Sequence, residues 1–213
     1  MKINQFGRSM IEMLGVLAII GVLSVGAIAG YQKAMMKYKL NKHAQSFNML
    51  LSNALQLSPS VNKADPKGNS SQDISYNELL LKANLLPDGI SYKNQKQHIY
   101  SDHLQDFLGN KMNFYSRTFA GYNFGLLTYL ENTSYTSDLC QNIINVAKEH
   151  SSNIIKLTRE DLSSGATRSI SIFSDCSKGT CFQNLSITDI ANICQVADSK
   201  TNNRGLYYFY ILW

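Results

Sequence analysis

Nineteen consecutive residues, Met13 to Tyr31, carry no charge. Coiled as a helix at 1.5 Å per residue, such a run spans about 28 Å. That is close to the thickness of a bilayer hydrocarbon core. Ahead of it lies a short polar stretch, Met1 to Gly7 with Lys2, and then Arg8-Ser9-Met10-Ile11-Glu12. Beyond it the pattern changes: Met36, Leu40, Ala44, Phe47, Leu51 and Ala54 recur every three or four residues. That period predicts an amphipathic continuation of the same helix through Leu57, uninterrupted until Pro59. The whole rod, from Arg8 to Leu57, is expected to reach about 75 Å, with its first half apolar all round and its second half docked on a globular head.

A cleaved secretory signal would explain the basic start, the apolar core and Ala27-Ile28-Ala29 as a small-residue cleavage site, with the mature chain starting near Gly30. The apolar run is longer than an ordinary signal core, and Glu12 lies at its lip. A carboxylate there is costly and usually marks function. A plain membrane anchor accounts for the length of the run but not for Glu12 or the short leader.

Gly7-Arg8-Ser9-Met10-Ile11-Glu12-Met13-Leu14-Gly15-Val16-Leu17-Ala18-Ile19-Ile20-Gly21-Val22-Leu23 resembles the leader and first helix of type IV pilins and type II secretion pseudopilins. The resemblance covers roughly the first 30 residues. It implies cleavage by a prepilin peptidase after Gly7, Arg8 as the new first residue, and N-methylation of Arg8. The family carries a glutamate at the fifth mature position, and Glu12 is fifth counted from Arg8. Arg8 itself departs from the pattern, because the family has Phe or Met there. The resemblance also implies that Glu12 pairs with the N-terminal amine of a neighbouring subunit during assembly. Buried alone, either charge would be expensive; together in a low dielectric they attract more strongly than in water. Gly15, Gly21, Gly26 and Gly30 recur along the apolar helix, where small residues let helices approach closely in lipid or in a fibre core, though glycines are also ordinary in membrane helices.

Composition fits a folded head. Charged residues make up 16% and hydrophobic residues 44% of 213, unlike a disordered chain. The net charge of +5 is diffuse, and no nucleic-acid partner is expected. The one basic cluster, Lys33, Lys37, Lys39 and Lys42, follows directly on the apolar run. It reads either as a solvated face or as a contact for anionic lipid or neighbouring subunits. The four cysteines, Cys140, Cys176, Cys181 and Cys194, are even in number beside an export-type N-terminus, and predict two disulfides in an oxidising compartment. Of three possible pairings the favoured one is Cys176–Cys181, closing a small loop through Gly179, with Cys140–Cys194 tying a predicted helix to the C-terminal region. A zinc site is disfavoured because no Cys-x-x-Cys pair is present and His150 is the sole histidine in this part of the chain.

Further along, Ser58 to Asp73 reads as a loop and Ile74 to Leu86 as a short helix ended by Pro87. The segment Tyr76 to Pro87 resembles one found in type IVb pilin heads. Met112–Phe119 and Tyr122–Leu130 read as a hairpin, Ser137–Lys148 as a helix, Ser169–Phe173 as a strand and Thr188–Ala197 as a short helix. Leu206 to Trp213 is apolar or aromatic on both faces, which predicts a central or covered strand. The expected architecture is therefore α+β, a pilin fold with a long N-terminal helix packed on an antiparallel sheet. Its parts are a leader (1–7), the helix (8–57, membrane or filament core to about residue 31) and a disulfide-bonded head (58–213).

No catalytic constellation stands out, and neither an enzyme activity, a cofactor nor a metal is expected. His98, Asp102 and His103 read as a surface loop. The sequons at Asn69, Asn132 and Asn184 carry little weight in a bacterial protein. The expected function is that of a structural subunit of a type IV pilus-like filament. The partners implied are identical or related pilin subunits, a prepilin peptidase, an inner-membrane assembly platform and membrane lipid. The chain would be single-pass in the bacterial inner membrane with its head in the periplasm, and later in a surface pilus or periplasmic pseudopilus. A type II secretion pseudopilin and a membrane-anchored periplasmic binding or adhesion protein are the alternatives, with an exported enzyme remote.

Overall fold

The computed structural model describes residues 6–64, 74–94, 102–116, 124–131, 133–163, 166–195 and 206–213. It divides into two compact units, Met1–Asn41 and Lys42–Trp213. One helix, α1 (Phe6–Ala64), runs through the boundary. Within the second unit it buries His43, Ser46, Phe47, Leu50, Leu51, Ala54, Ser58 and Val61, a stripe with helical spacing. Of the stripe expected from sequence, Phe47, Leu51 and Ala54 are buried, while Met36, Leu40 and Ala44 are half-covered.

The helix does not stop at Leu57, and residues 58–64 are helix rather than loop. Pro59 cannot donate to the carbonyl one turn back. Its neighbour Ser58 is tied in place: the hydroxyl donates to Ala54 O at 2.6 Å and accepts from the indole Nε1 of Trp213 at 2.8 Å. Val61, one turn onward, is buried and draws the helix forward. Residues 65–73 of the expected loop lie outside the described residues.

The expected helix from Ile74 is shorter and starts later. Ile74–Ser75 form strand β1, paired with Ser116 and Tyr115, and α2 occupies Asn77–Lys82. Asn84, at φ 56°, ends it in the left-handed region that asparagine tolerates. Leu85 N–H then closes back onto Leu80 O at 2.9 Å.

Among the described residues the sheet is antiparallel with eight strands. Beyond β1 they are β2 (Ile90–Asn94), β3 (Asp102–Asp106), β4 (Lys111–Ser116), β5 (Phe124–Glu131), β6 (Lys156–Ser163), β7 (Ala166–Phe173) and β8 (Leu206–Leu212). Their order is β2-β3-β4-β5-β8-β6-β7, with β1 beside β4. The expected hairpin is β4–β5, in register from Lys111↔Tyr129 to Ser116↔Phe124; residues 117–123 lie outside the described set. The doubly apolar β8 lies between β5 and β6, where no edge is left open. Tyr207, Phe209 and Ile211 point into the core. On the other face Tyr208 meets Tyr129 edge-on at 4.9 Å.

Helix α3 (Thr136–Glu149) buries Leu139, Cys140, Ile143, Ile144, Val146 and Ala147. Helix α4 (Ile187–Ile193) begins at a reciprocal cap between Ser186 and Asp189. Cys140 is bonded to Cys194 just past α4, and Cys176 to Cys181 around a tight turn. Gly179 in that turn sits at φ 130°, a conformation that side chains resist. Asp102 and His103 belong to β3 rather than to a surface loop, and His103 is buried. Burial, with Lys111 nearby, lowers the pKa of its ring. His98 lies outside the described residues.

Candidate functional site

In α1 the backbone of Gly7 and Arg8 is already helical, and Glu12 follows Arg8 by one turn. Glu12 is exposed. From Met10 to Ile28 the large apolar side chains are exposed as well, Met10 and Ile11 at 74%, Val22 at 75% and Ile20 at 53%. No residue of the most apolar 18-residue window is buried, and the helix is long and apolar enough to cross a membrane. A Cβ built on Gly15, Gly21, Gly26 or Gly30 would meet nothing within 4 Å, so each glycine leaves a shallow notch on an open surface. The Ser24 hydroxyl bonds Ile20 O at 2.7 Å, which satisfies it within the helix. What this segment presents is an uncovered apolar cylinder with one carboxylate near its start. It is the kind of surface expected to be buried by something else.

The head-side half of α1 is held by specific contacts within the second unit. Ser46 Oγ donates to Asp88 O at 2.7 Å and Asn53 Nδ2 to Leu85 O at 2.7 Å. His150 Nε2 and Asn48 Oδ1 are 2.6 Å apart. His43, 2% exposed, stacks on Phe47 and has Nε2 3.5 Å from Asp106 Oδ2. That distance permits an ion pair, but the alignment makes no hydrogen bond, and among the described residues Nδ1 has no hydrogen-bond partner either. Burial pushes the pKa of His43 down, and Asp106 only partly offsets this. Asp106 is itself occupied, accepting from Leu108 N, Asn110 N and Asn110 Nδ2 at 2.7–2.8 Å.

A second feature was not legible as a site. Arg159 sits mid-strand in β6, 6% exposed. Its guanidinium lies 5.0 Å from the Tyr207 ring and donates to Ile193 O and Gln195 O, on either side of Cys194. Asp161 Oδ2 is 3.5 Å away. The arginine therefore caps the C-terminal end of α4, where a cation suits the helix dipole, beside the Cys140–Cys194 bond. An open depression lies between the Cys176–Cys181 turn and α4, lined by Thr180, Asn184, Asp189 and Asn192. The Asp189 carboxylate there accepts from the Ser186 hydroxyl and N–H, which holds its pKa below the usual range. Among the described residues no group of three His, Cys, Asp or Glu side chains is placed to hold a metal ion.

No family model matches the chain, and no curated protein matches it. Among solved structures, the chain is similar to the type IV b pilin from Salmonella typhi, with 13% sequence identity and a TM-score of 0.42. The alignment covers 80% of this chain and 97% of that one.

Proposed function

We propose that this chain is a structural subunit of a type IV pilus-like filament. In this reading a prepilin peptidase cuts it between Gly7 and Arg8, and α1 carries it from the bacterial inner membrane into the filament while the disulfide-bonded head stands in the periplasm. The observation that carries the reading is the pairing of Glu12 with an otherwise acid-free helix. Glu12 is the sole carboxylate between residues 8 and 64, at the start of an exposed apolar surface one turn from Arg8.

The mechanism follows from electrostatics. Cleavage after Gly7 makes an ammonium at Arg8. In an oily helix bundle that ammonium and a carboxylate are each costly alone. Brought to about 4 Å at an effective dielectric near 20, they attract by about 4 kcal/mol. The Glu12 of one subunit and the new amine of the next thus fix the axial step between helices, while the glycine notches let the helices close. A plain anchor has no use for an acid at this place, which is why the filament reading is preferred over an anchored binding protein.

Intact mass of the polypeptide isolated from membranes tests it. The reading expects a chain beginning at Arg8, lacking Met1 to Gly7 and nothing more. A chain beginning near Gly30 would make this a secreted protein, and one retaining its leader an anchor.

A further inference from the structure

Four lysines follow the apolar run, but the structure separates them. Lys42 is half-covered, with Nζ 5.3 Å from the centroid of the Phe107 ring. Lys33, Lys37 and Lys39 are exposed, and among the described residues none of them forms an ion pair with a carboxylate. Tyr31 and Tyr38 are exposed beside them, at 64% and 62%.

We propose that Lys33, Lys37 and Lys39, flanked by Tyr31 and Tyr38, form a collar that binds the phosphates of anionic phospholipid headgroups in the leaflet nearer the head. This rests on the reading of α1 as a membrane-spanning helix. The axial placement supports it. With the apolar run ending at Tyr31, Lys33 stands about 3 Å and Lys39 about 12 Å further along the axis. The headgroup region of one leaflet is about 5–8 Å deep, and long lysine stems reach across the remainder. Tyrosine rings favour the same depth, with an apolar body and a wet hydroxyl.

The angular placement chooses lipid over a protein partner. At about 100° per residue, Lys33 and Lys37 lie some 40° apart, while Lys39 lies about 160° from Lys37 on the far side of the helix. A protein docking on one face would meet only part of that charge, whereas headgroups surround the helix and meet all of it. A second copy packed in parallel at the same level would bring like charges together. Its helix carries no carboxylate after Glu12 to answer them. The lysines would therefore favour residence in the bilayer, and each subunit leaving it would give those phosphates up.

The test uses the full chain in neutral micelles, mixed with equal amounts of phosphatidylglycerol and phosphatidylcholine, with retained lipids counted by native mass spectrometry. Wild type should retain phosphatidylglycerol by about tenfold or more over phosphatidylcholine, the order expected of several lysines at an anionic surface. The triple variant Lys33→Gln/Lys37→Gln/Lys39→Gln should lose that preference, and Lys82→Gln should keep it. An excess of inorganic phosphate should leave it intact; displacement would make this a free-phosphate site and overturn the proposal. A chain that enters phosphatidylcholine vesicles but shows no headgroup preference also overturns it, with the membrane-spanning reading still standing. A chain that enters no vesicle overturns both. A triple variant that retains its lipid preference yet no longer forms filaments assigns the lysines to a neighbouring subunit instead, which overturns the collar.

Discussion

At Glu12 a single carboxylate sits exposed at the edge of an apolar surface. Its proposed partner is a charge on another subunit. Glu12→Ala should therefore leave membrane insertion and leader removal unchanged and lower filament yield by about tenfold or more, since losing roughly 1.4 kcal/mol of contact is already a factor of ten. Immunoblots of sheared filaments against the membrane fraction read this out, and wild-type filament levels would remove Glu12 from the assembly step. Asn77 has the opposite fate. It is fully buried, and its amide donates to Asn113 Oδ1 at 2.8 Å while its carbonyl accepts from Phe114 N at 2.9 Å. It thus bonds both backbone and side chain of β4 just after β1 leaves that strand. Asn77→Ala strands Phe114 N and Asn113 in the core, and should cost about 2–3 kcal/mol, measurable as a lower urea midpoint with unchanged slope.

At the scale of elements, α1 is held in the second unit by contacts whose charge state varies with pH. His43 is buried with its folded pKa below the ordinary imidazole value. A base depressed in this way contributes in full above about pH 6.5, its unfolded value. The contribution is lost as pH falls through the lower folded value. Unfolding free energy should therefore decline below about pH 6.5, and His43→Leu should flatten the decline. Because neither ring nitrogen has a hydrogen bond, that variant should be no less stable than wild type at pH 7.5; a large loss there would mean that the Asp106 contact is worth more than its alignment implies. The two disulfides differ in reach, with sequence separations of 54 and 5. Chain entropy assigns about 4 kcal/mol to Cys140–Cys194 and about 2 kcal/mol to Cys176–Cys181. Paired serine substitutions, compared by urea unfolding, should show the first as the larger loss.

For the whole molecule, the parts legible in the sequence are those whose pattern is carried by neighbours in the chain. The apolar run, the β4–β5 hairpin, α3 and the central place of β8 all announce themselves through local periodicity. Strand β6 did not, because Lys156-Leu157-Thr158-Arg159-Glu160-Asp161 reads as a charged surface segment. Arg159 is buried all the same, since the end of α4, distant in sequence, supplies its acceptors, and the buried Asp161 lies 3.5 Å from its guanidinium. Strands β2 and β3 were hidden for a related reason, being short and polar, with pairing rather than apolar alternation to define them. The end of α1 was misplaced because Trp213, 155 residues away, steadies the turn around Pro59. The candidate site was legible at Gly7, Arg8 and Glu12 through a motif alone, whereas the difference between Lys42 and the other three lysines needed Phe107. Strand β8 has a further consequence for how the head is made. Among the described strands it comes latest in chain order, and β5 and the β6–β7 pair meet there only across it. Until it is in place, two raw margins of backbone stand unjoined, each open to adventitious pairing. The head is thus a garment fastened by its last button, and its hazards fall in the interval before that strand arrives.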